Sequence, residues 1–115
     1  MMLMSRSLSH LVLPLCLGAA SMLSLAAEDP AMPKLAIKAG CGACHMADRK
    51  LVGPSYKEIA AKYKGRADAV AYLSQRVRKG GPGNWGTVPM APNDVKKLGD
   101  ADLKSLVTWV LATPQ

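Results

Sequence analysis

The chain has 115 residues, half of them apolar, yet aromatics make up only 4% and there is no Phe. That length holds one domain and excludes a multidomain enzyme, a repeat array or a doubly wound sheet with its own cofactor domain. The formal net charge of +7 comes from 15 basic and 8 acidic residues, and no aromatic-rich basic stripe accompanies it to point to nucleic acid.

Residues 1–27 read as a secretory signal peptide. Met1 to His10 carries Arg6 and no acid, Leu11 to Leu25 is almost all apolar or small, and Ala26-Ala27 ends the run before Glu28-Asp29-Pro30. These are the n-region, h-region and small-residue exit of an export signal. An uncleaved anchor is the competing reading, but the run is at the short end for a membrane span. Lipidation at Cys16 fits poorly with Pro14-Leu15 before it and Leu17 after it. Cleavage after Ala27, or one residue earlier, leaves a single periplasmic domain, residues 28–115, with no membrane anchor. Arg6 is the only charge lost, so the net charge becomes +6, and His45, Cys41 and Cys44 are the only His and Cys residues left. A domain of 88 residues, Glu28 to Gln115, with so few large side chains is marginal without a disulfide, a metal or a cofactor as a staple.

Past the leader the periodicity is helical. Asp29-Pro30 caps and opens a first helix that Gly40 ends. Ser55-Tyr56-Lys57-Glu58 has capping-box spacing and starts a helix over Tyr56 to Lys64, closed by Gly65. Asp68 caps a third helix with Val70, Leu73 and Val77 on one stripe, ending at Gly80-Gly81. Gly80 to Gly99 is rich in Gly and Pro and predicts an irregular functional loop. The last helix carries Leu103, Leu106, Val107, Val110 and Leu111 at amphipathic spacing, with Asp100 or Asp102 as its cap. No alternating β-branched run predicts a strand, so the fold class is all-α, with four to five short helices.

The chemistry concentrates in Cys41-Gly42-Ala43-Cys44-His45. A thiol oxidoreductase pair needs a βαβ context and gives His45 no role; a structural zinc site needs a second ligand pair. A local disulfide constrains little of the unfolded chain. The pentapeptide spells c-type haem attachment. One helical turn presents both thiols and the imidazole on one face, so Cys41 and Cys44 bond the two vinyl groups of one haem while His45 reaches the iron. The haem then also supplies the missing apolar bulk. With no other histidine left, the sixth ligand is a Met, a Lys or nothing; Met46 is too close to His45 to cross to the other haem face, and Met32 suits a core. Met90 lies in Val88-Pro89-Met90-Ala91-Pro92, 45 residues after His45. Its prolines stiffen the loop, favouring an iron ligand over a buried gap-filler.

The mature chain resembles the small bacterial monohaem cytochromes c of the c-551 type (class I). The resemblance is carried by the haem motif, Leu51-Val-Gly-Pro54-Ser-Tyr-Lys-Glu-Ile-Ala, Gly83-Asn-Trp85-Gly-Thr-Val-Pro89-Met90-Ala-Pro-Asn93 and Leu106-Val-Thr-Trp109-Val110-Leu111. The stretch from Asn93 to Trp109 is slightly longer than in the shortest members. The resemblance implies a small cytochrome c fold wrapped around one haem c held by two thioethers. It implies that the Pro54 carbonyl orients His45, that Arg76 and Trp85 meet a haem propionate, and that Asn93 lies near the axial Met. Plainer roles stay open beside these: a helix-start proline, an exposed helix charge, a core indole and a turn residue.

An iron held on both faces by His45 and Met90 has no vacant site, so the expected work is one-electron transport and not enzyme catalysis. Scattered lysines favour acidic docking patches on redox partners of a monomer. Relatives serve nitrite reductases, cytochrome c peroxidases, terminal oxidases or bc1-type donors, and no residue here chooses among them. The alternatives are a five-coordinate haem enzyme or sensor, in which Met90 is unbound, and the CxxC thiol oxidoreductase.

Overall fold

Local backbone chemistry sets where the helices begin. The structure, a computed structural model, describes residues 29–115; the signal-peptide expectation lies outside the described residues. In chain order the elements are α1 (Ala31–Lys38), a 3-10 turn (Cys41–Ala43), α2 (Tyr56–Tyr63), α3 (Ala69–Lys79), β1 (Gly81–Gly83), β2 (Gly86–Met90) and α4 (Asp100–Leu111). Asp29 Oδ1 accepts the amide of Ala31 at 2.9 Å, and Pro30, at φ −66°, needs no amide partner there. At α2 the capping box is complete. Ser55 Oγ accepts from the Glu58 amide at 3.1 Å and Glu58 Oε2 accepts from the Ser55 amide at 2.7 Å, satisfying two otherwise orphaned donors.

The other two expected caps are not formed. Asp68 gives no side-chain cap to α3; Arg66 Nε donates to its carboxylate at 2.5 Å instead. Gly99 occupies the cap position of α4, and the Asp100 carboxylate accepts from Arg78 at 2.7 Å. In both cases the carboxylate is turned to a guanidinium and not to the free amides of the helix start. Asp100 and Asp102 still sit in the first turn of α4, where negative charge favours the helix dipole.

The stretch expected to be irregular contains a small antiparallel ribbon, which corrects the strand-free reading. Strands β1 and β2 pair Gly81 with Met90 and Gly83 with Gly86, with an irregularity between. Asn84-Trp85 forms the two-residue turn. The register lays Met90 beside the end of α3. The fold remains mostly helical.

Helix α4 packs on α1, α2 and α3. Leu103, Leu106 and Val107 of α4 are buried with Ala36 and Ala39 at the end of α1 and with Leu98. Ala36, Ala39, Ala60 and Ala69 are four of the ten buried apolar residues described, so the core is thin. Leu73 and Val77 of α3 and Val110 of α4 belong to the apolar stripes but are only half-buried, because they face a cleft.

Candidate haem-binding cleft

A cleft of about 1250 Å³, counted out to open solvent, runs between the Cys41–Ala43 turn and the hairpin. Cys41, Cys44 and His45 line it together with Met90, and Tyr56, Ile59, Leu73, Val77, Leu106 and Val110 supply apolar surface from α2, α3 and α4. The first wall is a tight local structure. The amides of Cys44 and His45 both bond the Cys41 carbonyl, at 3.1 and 2.9 Å, and the Gly53 amide returns to the Cys44 carbonyl at 2.8 Å. Segment 45–53 therefore loops back onto His45, where His45 and Lys50 form an isolated bridge.

The His45 ring is held from three sides. Its Nδ1 lies 2.6 Å from the Pro54 carbonyl; that oxygen has no proton, so Nδ1–H donates and Nε2 is left with its lone pair. Tyr56 stacks on the ring at 6.0 Å between centroids and meets Trp109 edge-on at 5.3 Å. Burial pushes the Tyr56 phenol up to about 12, so this neighbour stays neutral. A Cβ on Gly53 would lie 2.7 Å from His45 Cε1, closer than carbon atoms pack. Sequence reasoning read Pro54 here and missed Gly53, whose only signal is its place before that proline.

Both cysteines are free thiols, and burial pushes the Cys41 thiol up. They stand half-buried at the mouth of an apolar cleft with one presented imidazole nitrogen. Among the described residues no three His, Cys, Asp or Glu side chains cluster to hold a metal ion by themselves. This donor set fits a haem joined by two thioethers and falls short of the four clustered ligands of a structural zinc site.

The remaining predicted residues are dispersed around the hairpin. Arg76 lines the cleft, and its Nη2 donates to the carbonyls of Gly81 and Pro82 at 3.3 and 3.0 Å. Trp85 also lines the cleft and is 41% exposed. Lys62 Nζ sits 4.4 Å above its ring and donates to the Asn84 carbonyl at 2.9 Å. Asn93 lies behind the cleft wall, buried to 7% exposure. Its Nδ2 donates to the Ala39 carbonyl at 2.8 Å, so the amide ties the segment after Met90 to the end of α1. Its Oδ1 is buried without a partner; turning the amide over would set two oxygens against each other at Ala39. Met32, in α1, does not line the cleft.

Gly80, read from the sequence only as a helix stop, has a further role. It sits at φ 64°, ψ −149°, a region essentially closed to other residues. A Cβ there would run into the Met90 carbonyl and lie 2.7 Å from the Pro92 nitrogen. The end of α3 and the Met90 segment are in direct backbone contact because this residue has no side chain.

The family profile described as Cytochrome c matches residues 33–114. The chain is 52% identical over 81 residues to cytochrome c2 of Rubrivivax gelatinosus, covering 70% of this chain and 95% of that protein. It is 48% identical over 86 residues to cytochrome c-551 of Pseudomonas aeruginosa, covering 75% and 78%. The crystal structure of Nitrosomonas europaea cytochrome c552 superposes with a TM-score of 0.66 at 44% identity, covering 71% of this chain and 99% of that one. On this evidence the chain belongs to the cytochrome c family, as a small monohaem protein of the c-551 type that binds haem c covalently and serves electron transport, not enzyme catalysis.

Proposed function

We propose that this protein is a periplasmic one-electron carrier whose iron is held by His45 and Met90, with the haem joined to Cys41 and Cys44. The observation that carries this reading is the cleft itself. A proximal imidazole, oriented through Nδ1 by Pro54, and the thioether of Met90 line one cavity. When bound, haem c supplies a ferric–ferrous couple. The protein's own contribution is to hold both ligands, exclude water and keep the site closed. A thioether raises the potential relative to harder donors, and burial adds to the effect.

Pro54 and Tyr56 fix the imidazole, and Gly80 lets the Met90 segment seat against α3. Arg76 and Trp85 stand on the cleft wall, where a propionate would meet a guanidinium and an indole N–H. The charge of +7 over the full sequence, +6 without the leader, favours partners with acidic docking patches, met in quick, salt-screened encounters as a monomer. Among the described residues no helix is long and apolar enough to cross a membrane.

The oxidised protein is expected to show the weak far-red sulfur-to-iron band, and the reduced protein to bind carbon monoxide only slowly at neutral pH. Rapid carbon monoxide binding without that band would replace this reading with a five-coordinate haem enzyme or sensor.

A further inference from the structure

Arg78 is the one cation of α3 that joins three separate parts of the chain. Its Nη1 donates to the Asn93 carbonyl at 3.0 Å and its Nη2 to Asp100 Oδ1 at 2.7 Å. The side chain is 22% exposed, while its Asp100 partner is 86% exposed. The adjacent α3 carbonyl, Val77, accepts the Asn93 amide at 2.9 Å. Asn93 is thus gripped through its backbone from both sides by consecutive residues of one helix, and through its side chain by Ala39. Ala39 lies two residues before Cys41, and Asn93 three residues after Met90. This junction therefore ties the thiol-bearing turn to the segment that carries the sixth ligand.

We propose that Arg78 is a positioning residue for Met90, holding the 90–93 segment through the Asn93 carbonyl with Asp100 as its anchor. The proposal rests on the reading of Met90 as an iron ligand. Arg78 touches neither ligand. It sets the balance between a seated and a released Met90, because release must swing a segment whose far end it clamps. A part-buried hydrogen bond to a guanidinium is stronger than a neutral one, so losing it raises the population of the released state. An outside ligand binds only that state, and its apparent affinity scales with the released fraction.

The test uses the haem-loaded protein and two readouts: the far-red sulfur-to-iron band and the affinity of the oxidised form for imidazole. Arg78→Gln is expected to bind imidazole about tenfold more tightly or better and to weaken the band. Arg78→Lys is expected to fall between, and Asp100→Asn to move the same way by less. Arg66→Gln, which breaks the separate Arg66–Asp68 pair, is expected to move neither readout. If Arg78→Gln does not accumulate, Arg78→Lys and Asp100→Asn decide on the same measurements. An intact band with unshifted affinity in the Arg78 variants overturns the proposal alone, as does an equal shift in Arg66→Gln. An unmutated protein with no band and free imidazole binding overturns the Met90 reading and the proposal with it.

Discussion

Gly80 and Gly53 show how a missing side chain can matter as much as a present one. Gly53 leaves room for the His45 ring, and Gly80 lets backbone meet backbone behind Met90. The two glycines differ in what they avoid: Gly80 combines a left-handed φ with a close backbone neighbour, and Gly53 has the close neighbour alone. Gly80→Ala is expected to lose at least about 1–3 kcal/mol of stability and to weaken the sulfur-to-iron band. Gly65 makes the control: its φ is 78° but nothing lies within 4 Å of a Cβ there. Denaturant midpoints for Gly80→Ala and Gly65→Ala check this, and equal losses would show that the contact with Met90 and Pro92 does not matter. From the sequence, Gly80 was visible only as the end of a helix, since a helix stop and a close approach use the same residue.

The elements differ in how far they could be read in advance. Helices α1 and α2 were legible because their caps are local: Asp29 to Ala31 and Ser55 to Glu58 lie within three residues. The caps expected for α3 and α4 are absent: Asp68 pairs with Arg66 and Asp100 with Arg78, which reaches it across 22 residues. Separation of that kind carries no local signal, and it also hid the grip of Arg78 on Asn93. The hairpin was invisible for another reason. Its first strand is Gly-Pro-Gly, whose residues have little strand preference, although Arg76 holds the carbonyls of Gly81 and Pro82 from the end of α3.

Helix α2 gives a pH prediction. Hydrogen bonds from the Ser55 amide and hydroxyl hold the Glu58 carboxyl below its ordinary value of 4.5. A folded-state value depressed in this way stabilises the protein above the ordinary value, and the contribution fades as pH falls through the folded one. The gap in thermal midpoint between the unmutated protein and Glu58→Gln is therefore expected to be widest at neutral pH and to close below 4.5. A gap that stays constant into strong acid would mean that Glu58 acts by shape and not by charge.

Across the whole molecule, the thin core and the open cleft are two sides of one design. Alanines bring α1, α2 and α3 close to their neighbours, while the larger apolar residues of α3 and α4 turn toward the cleft. Composition alone implies as much: a domain without Phe and with few aromatics must bury something else. The haem motif identified what that is, and Cys41, Cys44, His45 and Met90 do line one cavity. The central claim is that Met90 closes this cavity by binding the iron, and the reduction potential of Met90→Ala tests it most directly. Loss of a thioether to water or a nitrogen donor is expected to lower the potential by on the order of a hundred millivolts or more, with Met32→Ala leaving it unchanged. A Met90→Ala protein with the potential of the unmutated one would contradict the account.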